Sequence, residues 1–204
     1  MMDRISKLFS DMPPERRNLW LAIAAVALGQ AAVLGWMIWD RTSLLANGRE
    51  VVLEVTPVDP RSLFRGDYVI LGYDMSRFTL PAGTEPPKRN APFYITLQKG
   101  PGDTWHVAGG ASRPPASTKP DEVVIKGTVD YVSAPPTDQP QQTAVVGLHY
   151  GIESFFVPEG TGRELEKMIG DKKLSAVIAI NDDGRAAIKG LMSEGKRVYE
   201  EPLL

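Results

Sequence analysis

The sequence predicts a mainly β domain, barrel-like or an open antiparallel sheet, with one or two short helices, carried behind a single transmembrane helix. Three observations predict it. The run Leu19–Trp39 contains no charged residue. From residue 51 onward, apolar side chains alternate with period two in short runs punctuated by Gly and Pro, which is how strands with one buried face read. The composition, 43% apolar and 24% charged, belongs to a folded chain rather than a disordered one.

The same composition excludes several function classes. A formal net charge of -2 lacks the basic footprint of a dedicated nucleic-acid binder, so no nucleic-acid partner is expected. The absence of cysteine removes disulfides, thiolate metal sites and a Cys nucleophile. His106 and His149 are the only imidazoles. Both fall on predicted strands as ordinary sheet residues, and neither a metal nor a cofactor is expected.

The chain divides into a cytoplasmic tail (1–18), an anchor helix (19–39), a juxtamembrane linker (40–49) and an exported β-rich domain (50–204). A helix over Leu19–Trp39 is ~32 Å long, the thickness of a bilayer's hydrocarbon core. Trp20 at one end, with Trp36 and Trp39 at the other, fits the interfacial belts where indoles settle. The run is long for a signal peptide, and its exit through Gly35-Trp36-Met37-Ile38-Trp39 is a poor cleavage context. Arg4, Lys7, Arg16 and Arg17 precede the span, and only Arg41 and Arg49 follow it closely. That asymmetry places the N-terminus in the cytoplasm and the domain outside it. Within the span, Ala25, Gly29, Ala31 and Gly35 form small-xxx-small pairs, and Gln30 adds a polar group; both suit a neighbouring helix.

Candidate strands follow in order: Val51–Pro57, Tyr68–Tyr73, Phe93–Gln98, Thr104–Ala108, Glu122–Val132, Ala144–Tyr150, Ser154–Val157, Leu174–Ile180, Arg185–Leu191 and Lys196–Glu200. Asp182-Asp183-Gly184 and Glu194-Gly195 are turn signals that make the last three a meander. Proline clusters at Pro81–Pro92, Pro114–Pro120 and Pro135–Pro140 read as surface loops. Thr161 and Glu164 form a capping box for a helix through Leu165, Met168 and Ile169. Asp59 to Gly66 reads as a helical turn, with Pro60 in its first position and Gly66 as a left-handed stop.

Gly66-Asp67-Tyr68-Val69-Ile70-Leu71-Gly72-Tyr73 spells G-D-Y-x-x-L-x-Y in full and closely resembles the GDYXXLXY proteins, a bacterial envelope family. Thr56–Arg61, Tyr150–Gly160 and Asp183–Ala186 resemble it as well. The resemblance implies no established activity. It does imply a polytopic membrane protein as partner, because such a protein is often encoded beside family members.

Read physically, the motif strand sets Asp67, Val69, Leu71 and Tyr73 on one face, with Tyr68 and Ile70 on the other. Asp67 sits where a turn becomes a strand, within reach of Arg61 and Arg65. A structural ion pair there competes with a recognition site formed by Arg61, Arg65, Asp67, Tyr68, Leu71 and Tyr73, joined by Tyr150, Glu153 and Glu159. Glu153, Glu159, Arg163, Glu164 and Glu166 form a second charged cluster whose spacing fits no calcium loop.

The expected function is therefore binding: a membrane-anchored accessory or scaffold protein holding a membrane-protein partner, with no catalysis and with homo-oligomerisation open. One alternative is a periplasmic small-ligand or peptide-binding module, with a pocket lined by Tyr68, Tyr73, Tyr150 or Phe155. A weaker one is a hydrolase resembling signal peptidase I and LexA-like proteases. It would pair Ser62 with a desolvated Lys126, although Val58-Asp59 stands where those proteases have Ser-Met.

Overall fold

The computed structural model describes residues 13–56, 68–133, 143–156, 165, 167–169, 171 and 173–201. The chain separates into two compact units, residues 1–42 and 43–204. The first is the bulk of one helix, α1, Pro14–Asn47. Its apolar window has a mean hydropathy of 2.0 with none of it buried, so by length and composition it is able to cross a membrane. The helix outruns the apolar segment at both ends. The stretch read as a 40–49 linker without periodicity is helical through Asn47. Its last turn belongs to the second unit, where Leu44 and Leu45 pack with Ala187.

The second unit is β-rich, as its alternation requires. Its strands are β1 Arg49–Glu54, β2 Tyr68–Ile70, β3 Arg77–Thr79, β4 Pro92–Lys99, β5 Trp105–Ala111, β6 Glu122–Ser133, β7 Val145–His149, β8 Ser154–Phe156, β9 Leu174–Ile180, β10 Ala186–Ser193 and β11 Lys196–Glu200. They form a four-stranded sheet (β1-β9-β10-β11), a pair (β2-β8) and a five-stranded sheet (β3-β7-β6-β4-β5). All ladders are antiparallel. A parallel bridge between Val52 and Thr104 and an antiparallel one between Thr56 and Gly72 stitch the sheets together. The bond from Lys126 N–H to Gly184 O adds a third link. The result is a nearly closed, barrel-like arrangement around one core that includes Val51, Leu71, Phe93, Ile95, Ile125, Ile178 and Leu191.

The predicted meander is present. Glu194 and Gly195, with φ 49 and 79, form the two-residue loop between paired Ser193 and Lys196. Positive φ at both positions is the hairpin geometry that matches strand twist. β9 reads as a continuous apolar run because both its faces are covered. Ala176, Ile178 and Ile180 join the main core, and Ala179, on the opposite face, lies beside Gly48 at the end of α1.

Two local expectations are corrected. β3 lies where no strand was predicted: Arg77-Phe78-Thr79 is too short to show a period. β5 continues past Ala108, where the predicted strand ended, through Gly109 and Gly110 to Ala111. A Cβ on Gly110 would lie 2.8 Å from the Ile95 and Phe93 side chains and 3.0 Å from Phe78, so the strand runs there because only glycine leaves room for them. The Asp59–Gly66 turn, the Pro135–Pro140 loop and the Thr161/Glu164 capping box lie outside the described residues. Leu165 and Ile169 of the predicted helix are helical and buried in the core.

Candidate functional site

Within the motif, Tyr68–Ile70 is strand β2 and Gly72 bridges to Thr56, and a single helical turn, Asp74–Ser76, follows. Val69, Leu71 and Tyr73 all point inward and are buried, as period-two geometry demands. Opposite them runs Tyr150-Gly151-Ile152-Glu153, which leads into β8. β8 pairs with β2 through Tyr68↔Phe156, Val69↔Phe155 and Ile70↔Ser154, and the ladder continues with Leu71 N–H donating to Glu153 O at 2.9 Å.

Two tyrosines lock these segments by reaching across in opposite directions. Tyr73 OH donates to Ile152 O at 2.9 Å, and Tyr150 OH donates to Met75 O at 2.7 Å. Each phenol satisfies a backbone carbonyl of the other segment in the interior, where an unpaired carbonyl is costly. Burial, with the Glu153 carboxylate as the smaller influence, pushes both phenols well above the ordinary tyrosine value of 10.0. Glu153 finishes the turn. Its carboxylate accepts Tyr150 N–H at 2.6 Å and Gly151 N–H at 2.9 Å and lies 3.0 Å from His149 Nδ1. Tyr150 sits over Gly127 of β6, where a Cβ would come within 2.8 Å of its ring.

The structure thus brings together Leu71, Tyr73, Tyr150 and Glu153 and gives each a structural partner. Tyr68 is paired on β2 through its backbone. Arg61, Arg65, Asp67 and Glu159 lie outside the described residues, as do Ser62, Arg163, Glu164 and Glu166. Lys126, the proposed partner of Ser62, has an exposed side chain on β6. Ala25, Gly29, Gln30 and Gly35 are exposed on α1. Among the described residues no group of three His, Asp or Glu side chains converges as a metal site would require.

A cleft of about 260 Å³ lies beside this clasp. Tyr73, Asp74 and Met75 follow from the motif; Leu53 and Glu54 come from β1, Arg77 from β3, Leu97 from β4, and Trp105, His106 and Val107 from β5. Of the aromatic lining expected from the sequence, Tyr73 lines the cleft, whereas Tyr150 and Phe155 are buried in the core instead, and Phe155 packs edge-on against Tyr199 at 5.0 Å. Sequence reasoning missed Trp105. Its ring carries the Arg49 guanidinium at 5.0 Å, an arrangement that stabilises by cation–π attraction. The same guanidinium donates to Glu122 O at 3.0 Å and to Pro120 O. A second polar cluster sits on the four-stranded sheet. Glu50 takes Lys189 at 2.7 Å and Arg197 at 2.9 Å, and the Lys189 hydrogen bond is the main reason its carboxyl lies below the usual range.

The family model described as "GDYXXLXY protein" matches residues 30–191, a span that includes the clasp, the cleft and the second half of α1. Neither the search of curated proteins nor the search of solved structures returned a match.

Proposed function

The chain belongs to the GDYXXLXY family, and from that premise we propose that it is a membrane-anchored envelope protein that works by binding a membrane-protein partner, as an accessory or scaffold subunit. One observation carries the reading. Among the described residues of the motif region, both buried phenols and the Glu153 carboxylate are engaged in holding backbone, which leaves none of these three poised for acid–base or nucleophilic work. The exposed Lys126 side chain likewise lacks the desolvation that a Ser/Lys hydrolase needs. The anchor is α1. Arg4, Lys7, Arg16 and Arg17 before the span outnumber Arg41 and Arg49 just after it, which supports a cytoplasmic N-terminus and, for a member of a bacterial envelope family, a periplasmic domain at an inner membrane. Ala25, Gly29, Gln30 and Gly35 offer a face for the partner's helix.

Affinity purification of the tagged full-length protein from membranes in mild detergent tests this. A stoichiometric polytopic chain is expected to co-purify. Recovery of the protein alone would overturn the accessory role and favour the second reading, a small-ligand or peptide-binding module, which the cleft beside Tyr73 and Trp105 supports.

A further inference from the structure

The five-stranded sheet ends in two edge strands, β3 and β5, and they differ in how well they are protected. Natural edges are shielded by shortness, charge or proline. β3 is three residues long. β5, Trp-His-Val-Ala-Gly-Gly-Ala, is seven residues long and contains neither a proline nor an acidic or basic chain beyond one histidine. One side of β5 pairs with β4. Beyond the bridge from Thr104 to Val52, the other side has no ladder partner among the described residues. Val107 is exposed there. The groups such an edge lacks are the N–H and C=O of another extended backbone.

The cleft at the start of β5 adds side-chain chemistry. Glu54 and Asp74 line it against the single guanidinium of Arg77, and none of the three makes an ion pair among the described residues. A second copy pairing antiparallel would bring Arg49, stacked on Trp105, toward Arg113, just beyond Ala111; like charges oppose that.

We propose that the outer edge of β5 receives an extended segment of the partner protein as an added strand, with a lysine or arginine of that segment seated in the cleft beside Glu54 and Asp74. The proposal rests on the binding reading above and names the surface and the chemistry it uses.

The test places photoreactive benzoylphenylalanine in the full-length chain, in its native membranes, at Val107 of β5 or, separately, at the exposed positions Tyr131 and Val198. The expected result is a crosslink from position 107 alone, to a partner segment of alternating apolar residues that includes a lysine or arginine. A synthetic peptide of that segment should then slow hydrogen exchange across 105–111 of the purified full-length protein. Methylating its alternate backbone nitrogens should weaken binding at least tenfold, and the Glu54→Gln/Asp74→Asn protein should lose a similar factor while melting unchanged. Crosslinks only from 131 or 198, a crosslink from 107 to a second copy, or peptide binding indifferent to methylation would overturn the edge proposal and leave the binding reading standing. A partner absent from both the crosslinks and the affinity purification would overturn both.

Discussion

Tyr73 and Tyr150 show what the motif does at the scale of single atoms. Each hydroxyl holds a carbonyl on the segment that supplies the other ring, so neither bond is independent of the other segment's position. Tyr73→Phe or Tyr150→Phe leaves a buried carbonyl unpaired and should cost about 1–3 kcal/mol, read as a lower denaturant midpoint of the full chain in detergent. An unchanged midpoint for both would show that the clasp contributes nothing. The phenols also set an alkaline limit. Their folded values lie above the 10.0 of an exposed tyrosine, so the unfolded chain releases these protons first. Their contribution is whole below 10.0 and is lost as pH rises beyond it. Tyr73→Phe should flatten that decline, and a decline equally steep in the variant would assign it to other groups. From the sequence, the shared face of Val69, Leu71 and Tyr73 was readable from alternation, but not that it is the buried one, because both faces of this strand carry apolar and aromatic side chains. The phenol partners were not, since Ile152 and Met75 accept through backbone carbonyls, which no residue type announces.

Among elements, the hairpins are defined by turns that look alike and are loaded differently. Gly184 and Gly195 both have φ 79. A Cβ at Gly195 meets open space, whereas one at Gly184 lies 3.0 Å from Lys126 N and 3.2 Å from Val124 O. Gly195→Ala should cost only the left-handed strain, about 1–2 kcal/mol. Gly184→Ala should cost more, because it also pushes the β9–β10 turn off β6 and strains the Lys126 N–H bond to Gly184 O. Equal losses in chemical denaturation would remove the β6 contact from the account. Asp183-Gly184 announced a turn from its residue types, but the strand beneath it is a matter of tertiary placement. The same division explains β3 and the end of α1. Three residues carry no period, and Leu44-Leu45 looked like a linker because their partner Ala187 is far along the chain.

For the whole molecule, the two-unit division gives a direct expectation: a chain lacking residues 1–42 should leave the membrane fraction and remain soluble. Its retention in washed membranes would show that the β domain is held there without α1, by its partner or by the bilayer. The β-rich class and the single apolar helix were readable from pattern alone. The near-closure was not, because it depends on the isolated bridges Val52↔Thr104 and Thr56↔Gly72. The pairing of β1 has a further consequence, in time rather than space. Arg49 faces Ile180 and Glu54 faces Ser175, so the first strand to emerge from synthesis waits for one of the last. At ~5–20 residues per second that wait lasts roughly 6–30 s, during which Val51, Leu53 and Val55 have no core to enter. A chain ending before β9 should therefore remain protease-sensitive from β1 onward, and a protease-resistant β1 in such a chain would show that this strand finds shelter before its partner is made. Folding of this domain is tied to the completion of its own synthesis.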